Sequence, residues 1–204
     1  MDIAELKESQ KKRAAQVVAE AFLNYPMFIH YFPNETKRRG QLQWYMEKTL
    51  NCAICYGEAL VTPDCSGVMF TLPPGHTRLN DKEFIKNGFL LTPLVMGIKN
   101  YAKSSECEKF VADTQEKLMK GKEHYYLWGL VTDPKAQRKG VGKALLKKLT
   151  DKADAENMPV YLETHEQNNV VYYEQFGFKL IHTDTIPKHG LDIWCMIRET
   201  EDKE

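Results

Sequence analysis

Nowhere in the 204 residues do apolar side chains run unbroken for the roughly 20 positions that a membrane-crossing helix requires, so no membrane partner is expected. Net charge is also missing: Lys and Arg total 28, Asp and Glu total 28. Without a general positive field, a nucleic-acid partner is not expected, and any basic site must be local. The opening MDIAELKESQKKR places charges where a secretory signal needs an apolar core, which points to a cytoplasmic location. Repeats and low-complexity segments are absent as well. A disulfide framework is not indicated, because the five cysteines, Cys52, Cys55, Cys65, Cys107 and Cys195, are odd in number and scattered. Cys52 and Cys55 form a C-x-x-C, but they fall within a helical apolar pattern and lack a second ligand pair at zinc-finger spacing, so core thiols and no metal are expected.

What is present is enough apolar material, 43% of residues, for one sizeable core. A single domain over residues 1–204 follows. Ala14, Val17, Val18, Ala21 and Phe22 predict an amphipathic helix over Glu8 to Asn24, stopped by Pro26. Leu42, Tyr45, Met46, Thr49, Leu50 and Ala53 predict a second one between Thr36 and Gly57. The period then changes, and Glu58 to Thr62 with Ser66 to Leu72 reads as a hairpin. Residues 80–101 are apolar but broken by Gly88, Pro93 and Gly97, which suggests short helices, and Ser105 to Lys120 is helical again. From Tyr125 the pattern is strand (to Val131), helix (Val141 to Ala153), strand (Val160 to Glu163), helix (Asn169 to Gln175), then strands Phe178 to Thr183 and Leu191 to Arg198. This alternation implies an α/β domain with a mixed central β-sheet flanked by helices on both faces. The acidic segment Glu199 to Glu204 looks frayed.

The most informative stretch is LWGLVTDPKAQRKGVGKALLKKL, where a strand ends, Asp133-Pro134 turns the chain, and Gly140 and Gly142 open a helix. Such a start offers unpaired N–H groups and the positive end of the helix dipole, and glycine lets a phosphate approach the backbone. Arg138, Lys139 and Lys143 add charge. A Walker loop would need glycine at Gln137 and Ser or Thr at Ala144, and a dinucleotide fingerprint would need glycine at Leu145, so neither fits.

Gln137-Arg138-Lys139-Gly140-Val141-Gly142 instead resembles the Q/R-x-x-G-x-G/A signature of the GNAT superfamily of N-acetyltransferases. Asn169-Val170-Val171-Tyr172-Tyr173-Glu174-Gln175-Phe176-Gly177-Phe178 resembles that family's N-x-x-x-Y-E-x-x-G-F segment, one strand further on. The resemblance covers Tyr125 to Arg198. It implies a GNAT fold, with residues 1–121 as a variable half and 122–204 as the half that binds acetyl-CoA. Implied cofactor contacts are Leu130, Val131, Thr132, Gln137, Arg138, Lys139, Gly140, Val141, Gly142, Lys143, Asn169 and Tyr173. The segment AEAFLNYPMFIHYFPNE is loosely similar to puromycin-acetyltransferase-like members, which implies a small-molecule amine acceptor.

The resemblance further implies that strand Tyr125 to Val131 splays from Val160 to Glu163, leaving amides near Leu130 and Val131 to polarise the acetyl carbonyl. A CoA thiol titrates at about 8.5 and a phenol at about 10, so Tyr173 suits the role of general acid to the leaving thiolate. The base is less defined, because tyrosines occupy the strand position near Tyr125 where some members carry glutamate. Glu163 is the leading candidate, with His165, Glu58 and His76 as alternatives acting directly or through water, and a substrate amine of modest pKa would need no base at all. Competing functions are a protein N-terminus or lysine as acceptor, and a CoA-binding regulatory module without turnover. Lys139, Lys143, Lys147 and Lys148 could suggest nucleic-acid binding, but they alternate with Asp151 and Asp154 as a solvated face would. A monomer and a homodimer both stay open.

Overall fold

The computed structural model describes residues 1–200. A two-residue strand β1 (Ala4–Glu5), too short to leave a periodic signal, precedes helix α1 (Glu8–Ala21), which buries Ala14, Ala15, Val17, Val18 and Ala19. Pro26 does more than follow α1: it opens helix α2 (Pro26–Tyr31), which the apolar pattern alone does not announce. Proline is suited to a first helical position, where its missing N–H would have had no partner. Helix α3 (Glu35–Tyr56) is capped by the Asn34 side chain, which accepts from the Lys37 amide at 3.1 Å. Strands β2 (Glu58–Val61) and β3 (Gly67–Leu72) form the expected hairpin.

The broken apolar segment forms short helices α4 (Asp81–Lys86) and α5 (Thr92–Met96). Leu90, Leu91, Leu94 and Ile98 stay exposed there. Helix α6 (Ile98–Leu118) begins seven residues before Ser105, directly after Gly97, whose φ of 83° reverses the chain. The C-terminal half follows the expected alternation through β4 (Tyr125–Thr132), α7 (Val141–Ala155), β5 (Val160–Thr164), α8 (Gln167–Glu174), β6 (Lys179–Ile186) and β7 (Leu191–Arg198). No helix among the described residues is long and apolar enough to cross a membrane.

The seven strands form one mixed sheet in the order β1-β2-β3-β4-β5-β7-β6, in which only β4 and β5 are parallel neighbours. Helices cover both faces. Residues of α1, α3 and α6 share one core with Val68, Phe70, Tyr126 and Tyr161, while Leu145, Leu146 and Leu149 of α7 share the other with Met69, Leu127 and Leu162.

Two irregularities place the site. Trp128 is an extra residue in β4, since Phe70 pairs with Gly129 and Thr71 with Leu127. A bulge resets strand alternation and bends the strand. Tyr126 and Val131, an odd number of positions apart, therefore reach the same core. In addition, β4 and β5 pair only at Tyr125–Val160 and Tyr126–Tyr161 and then diverge. Beyond Tyr126 the backbone groups on that edge of β4 face a gap in the sheet instead of a ladder.

Candidate active site

The glycine-rich turn is built from its backbone outward. Asp133 accepts from the Lys135 amide at 2.9 Å and starts a tight turn over Pro134–Ala136. Arg138 (φ 63°) and Gly140 (φ 78°) then both take the left-handed conformation. Glycine does so without cost, whereas for Arg138 it is held against a penalty of about 1–2 kcal/mol. The first α7 amide with a carbonyl partner in this register is that of Ala144, bonded to Gly140 at 3.0 Å. The amides of Val141, Gly142 and Lys143 precede it and point out of the helix start. Gln137, Arg138, Lys139 and Lys143 surround them at the surface. A Cβ on Gly142 would stand 2.9 Å from the Tyr172 hydroxyl and 3.4 Å from Thr132 Oγ1. Glycine here lets α8 close against the turn.

A cleft with a cavity volume of about 100 Å³ lies at the divergence of β4 and β5. Trp128, Gly129 and Leu130 form one side, Glu163, Thr164 and His165 another. Strand alternation sends Val160 and Leu162 to the α7 side and Tyr161 to the other, so Glu163 faces α1, α3 and α6 together with Tyr161. Tyr173 packs on the α7 side and lines the same cleft. The gap in the sheet is what brings a side chain from each face into one space.

Glu163 Oε1 accepts a hydrogen bond from the Tyr126 hydroxyl, and Oε2 is buried without a partner among the described residues. Burial outweighs the Tyr126 bond and pushes this carboxyl up to about 8, with the charge of Glu108 adding to the effect. Burial likewise lifts the Tyr173 phenol well above 10, reinforced by Tyr25, Tyr172 and Glu163. Its simple match to a thiol is therefore altered: the phenol stays protonated at every working pH.

Tyr25, from the loop before α2, ties the far end of β5 in place. Its oxygen accepts from the His165 amide at 2.6 Å and lies 3.0 Å from Thr164 Oγ1, which also accepts from Asn169 Nδ2 at 2.9 Å. His165 Nδ1 lies 2.8 Å from the Asp192 carbonyl, and burial lowers its pKa. Neither Glu58 nor His76 reaches the cleft: Glu58 lies 3.7 Å from Lys152 on a separate groove, and His76 pairs with Glu83 at 3.0 Å.

Residues 110–178, which hold both the turn and Tyr173, match the family model for the acetyltransferase (GNAT) family. The chain is 25% identical over 203 residues to an uncharacterized N-acetyltransferase of Schizosaccharomyces pombe, covering 94% of this chain and 81% of that protein. Among solved structures, a histone acetyltransferase HPA2-related acetyltransferase of Corynebacterium glutamicum superposes with a TM-score of 0.63 at 18% identity, over 99% of this chain and 98% of that one. An agmatine N-acetyltransferase superposes with a TM-score of 0.66 at 9% identity, over 97% and 98% of the two chains. Together these matches support a GNAT superfamily acetyltransferase, with the family signature carried by residues 110–178.

The GNAT family match indicates an acyltransferase, and GNAT members use acetyl-CoA. The residues of this chain fit that cosubstrate. The space where a Cβ on Gly140 would project is open to 4 Å, and Arg138, Lys139 and Lys143 ring the helix start. Of the residues implied by the family resemblance, Leu130, Asn169 and Tyr173 line the cleft, Gln137 to Lys143 form the turn, and Thr132 faces Gly142. The Val131 side chain is instead buried in the core, leaving only its backbone for the gap. Tyr25, Tyr126 and Glu108 also line the cleft. A signal for Glu108 exists: Ser104, Glu108, Val111 and Gln115 recur at four- and three-residue steps along α6. Residues 73–101 contribute none of the lining residues.

Proposed function

We propose that this protein transfers the acetyl group of acetyl-CoA to a primary amine of a small molecule by direct attack in a ternary complex. One observation carries the reading: a protonated phenol and a high-pKa carboxylate, from opposite faces of the sheet, share the cleft at the β4–β5 divergence. Glu163 takes a proton from the incoming ammonium, and the freed amine attacks the thioester carbonyl. The C–N bond forms, the C–S bond breaks, and Tyr173 protonates the departing sulfur. The second nitrogen proton returns to Tyr173, and Glu163 releases its proton to solvent. Amides on the open edge of β4 are positioned to stabilise negative charge on the acetyl oxygen. Aromatic walls from Phe22, Phe28 and Tyr45 suit a small acceptor.

Thiol release from acetyl-CoA, measured against a panel of amines, tests this reading. Acetyl-CoA binding without thiol release for any amine would favour the regulatory-module alternative. A Gly142→Val protein that remains folded is expected to bind CoA at least about tenfold more weakly by calorimetry, because the new side chain crowds the helix start. That valine also meets the Tyr172 hydroxyl. The loss is therefore expected to persist when Tyr172→Phe is added. Wild-type affinity in the double variant would remove the turn from the CoA site.

A further inference from the structure

Glu108 sits on α6, far in sequence from any residue of the turn, and its carboxylate is enclosed at the cleft. Its Oε1 accepts from the Tyr31 hydroxyl at 3.0 Å, a neutral partner that satisfies one oxygen. Among the described residues no lysine or arginine lines the cleft, although the chain contains 28 of them. The one histidine there, His165, is held neutral by burial and has its Nδ1 on the Asp192 carbonyl. The lining thus holds two carboxyl groups, Glu108 and Glu163, and no cationic side chain. One oxygen, Glu163 Oε2, is buried with no hydrogen-bond partner among the described residues.

Burying a carboxylate without a counter-charge is expensive, and an enclosed site in that state favours a cationic ligand. Glu163 is matched to the ammonium that reacts. Glu108 then remains as a second anionic point, facing the same space from another helix. Phe28, Tyr45 and Trp128 line the same cleft with aromatic faces that accommodate methylene chains and attract ammonium groups.

We propose that Glu108 binds a second cationic centre of the acceptor, so that this cleft selects diamines or longer polyamines over monoamines and over amines carrying a carboxylate. The inference rests on the cleft being the acceptor site of the proposed acetyl transfer. In the free protein, burial raises the pKa of both carboxyls, so binding of a dication is accompanied by proton release.

The test compares kcat/KM for α,ω-diamines with that for n-alkylamines of equal chain length. Wild-type protein is expected to favour the diamine, and Glu108→Gln to reduce that ratio about tenfold or more, mainly through KM. Tyr31→Phe keeps the carboxylate and removes only its hydrogen bond, so it should retain the preference. Equal losses for both amine series in folded Glu108→Gln, or no diamine preference in the wild type, would overturn the assignment. Calorimetric binding of a diamine to the CoA-saturated protein, wild type against Glu108→Gln, reads the same contact without turnover. Failure of acetyl transfer is thereby distinguished from failure of the Glu108 contact.

Discussion

Tyr173→Phe is expected to lower kcat by on the order of a hundredfold, with acetyl-CoA affinity nearly unchanged. The substitution removes one oxygen from a ring that otherwise packs 5.5 Å from Phe178, so little volume is lost. Among the described residues no hydrogen bond holds the Tyr173 hydroxyl, which leaves it available to a leaving sulfur. Its neighbour Tyr172 points to Gly142 and the turn, so Tyr172→Phe should affect binding more than chemistry. Single-turnover measurements isolate the chemical step. A wild-type rate for Tyr173→Phe in that assay would reduce the residue to packing.

Glu163→Gln is the second large effect, on the order of a hundredfold or more in kcat/KM measured above pH 8. The replacement amide would keep the shape and the contact with Tyr126 but could not accept a proton. The raised pKa fixes the direction of the pH profile: the carboxyl is neutral below about 8 and becomes a base above it, so kcat/KM should climb with pH through that value. The variant should lose this ascending limb. Stability should move the opposite way. Between the ordinary carboxylate pKa and about 8 the folded protein binds a proton that the unfolded chain does not, so this group makes stability fall as pH rises through that window. An unchanged pH–rate profile in Glu163→Gln would transfer the base role elsewhere in the cleft.

How much of this was legible in the sequence differs between the two halves. From Tyr125 onward each element carries its own local signal, and the bounds read from period and turn residues agree with the structure to within a few residues; β7, Leu191–Arg198, agrees at both ends. Upstream, α2 was hidden because six residues starting at proline give too few turns for a period to show. The early start of α6 was hidden because Gly97 could equally mark an interruption or a helix origin, and only the packed backbone distinguishes them.

The sequence by itself determined the glycine-rich turn, because glycine spacing, a helix start and local cations all lie within one short segment. It also determined the mixed α/β architecture, through periods confined to single elements. The tertiary structure decided the chemistry of the cleft. Tyr126 and Glu163 meet across a strand divergence, Tyr173 lines the same cleft from the opposite face, and Glu108 arrives from α6, upstream of both the glycine-rich turn and β4. Carboxylate pKa values depend on burial and on neighbours distant along the chain, and no local pattern of residues encodes either. The sequence could therefore point to Glu163 as a candidate, while the rise of its carboxyl to about 8 comes from burial, with the charge of Glu108 adding to it.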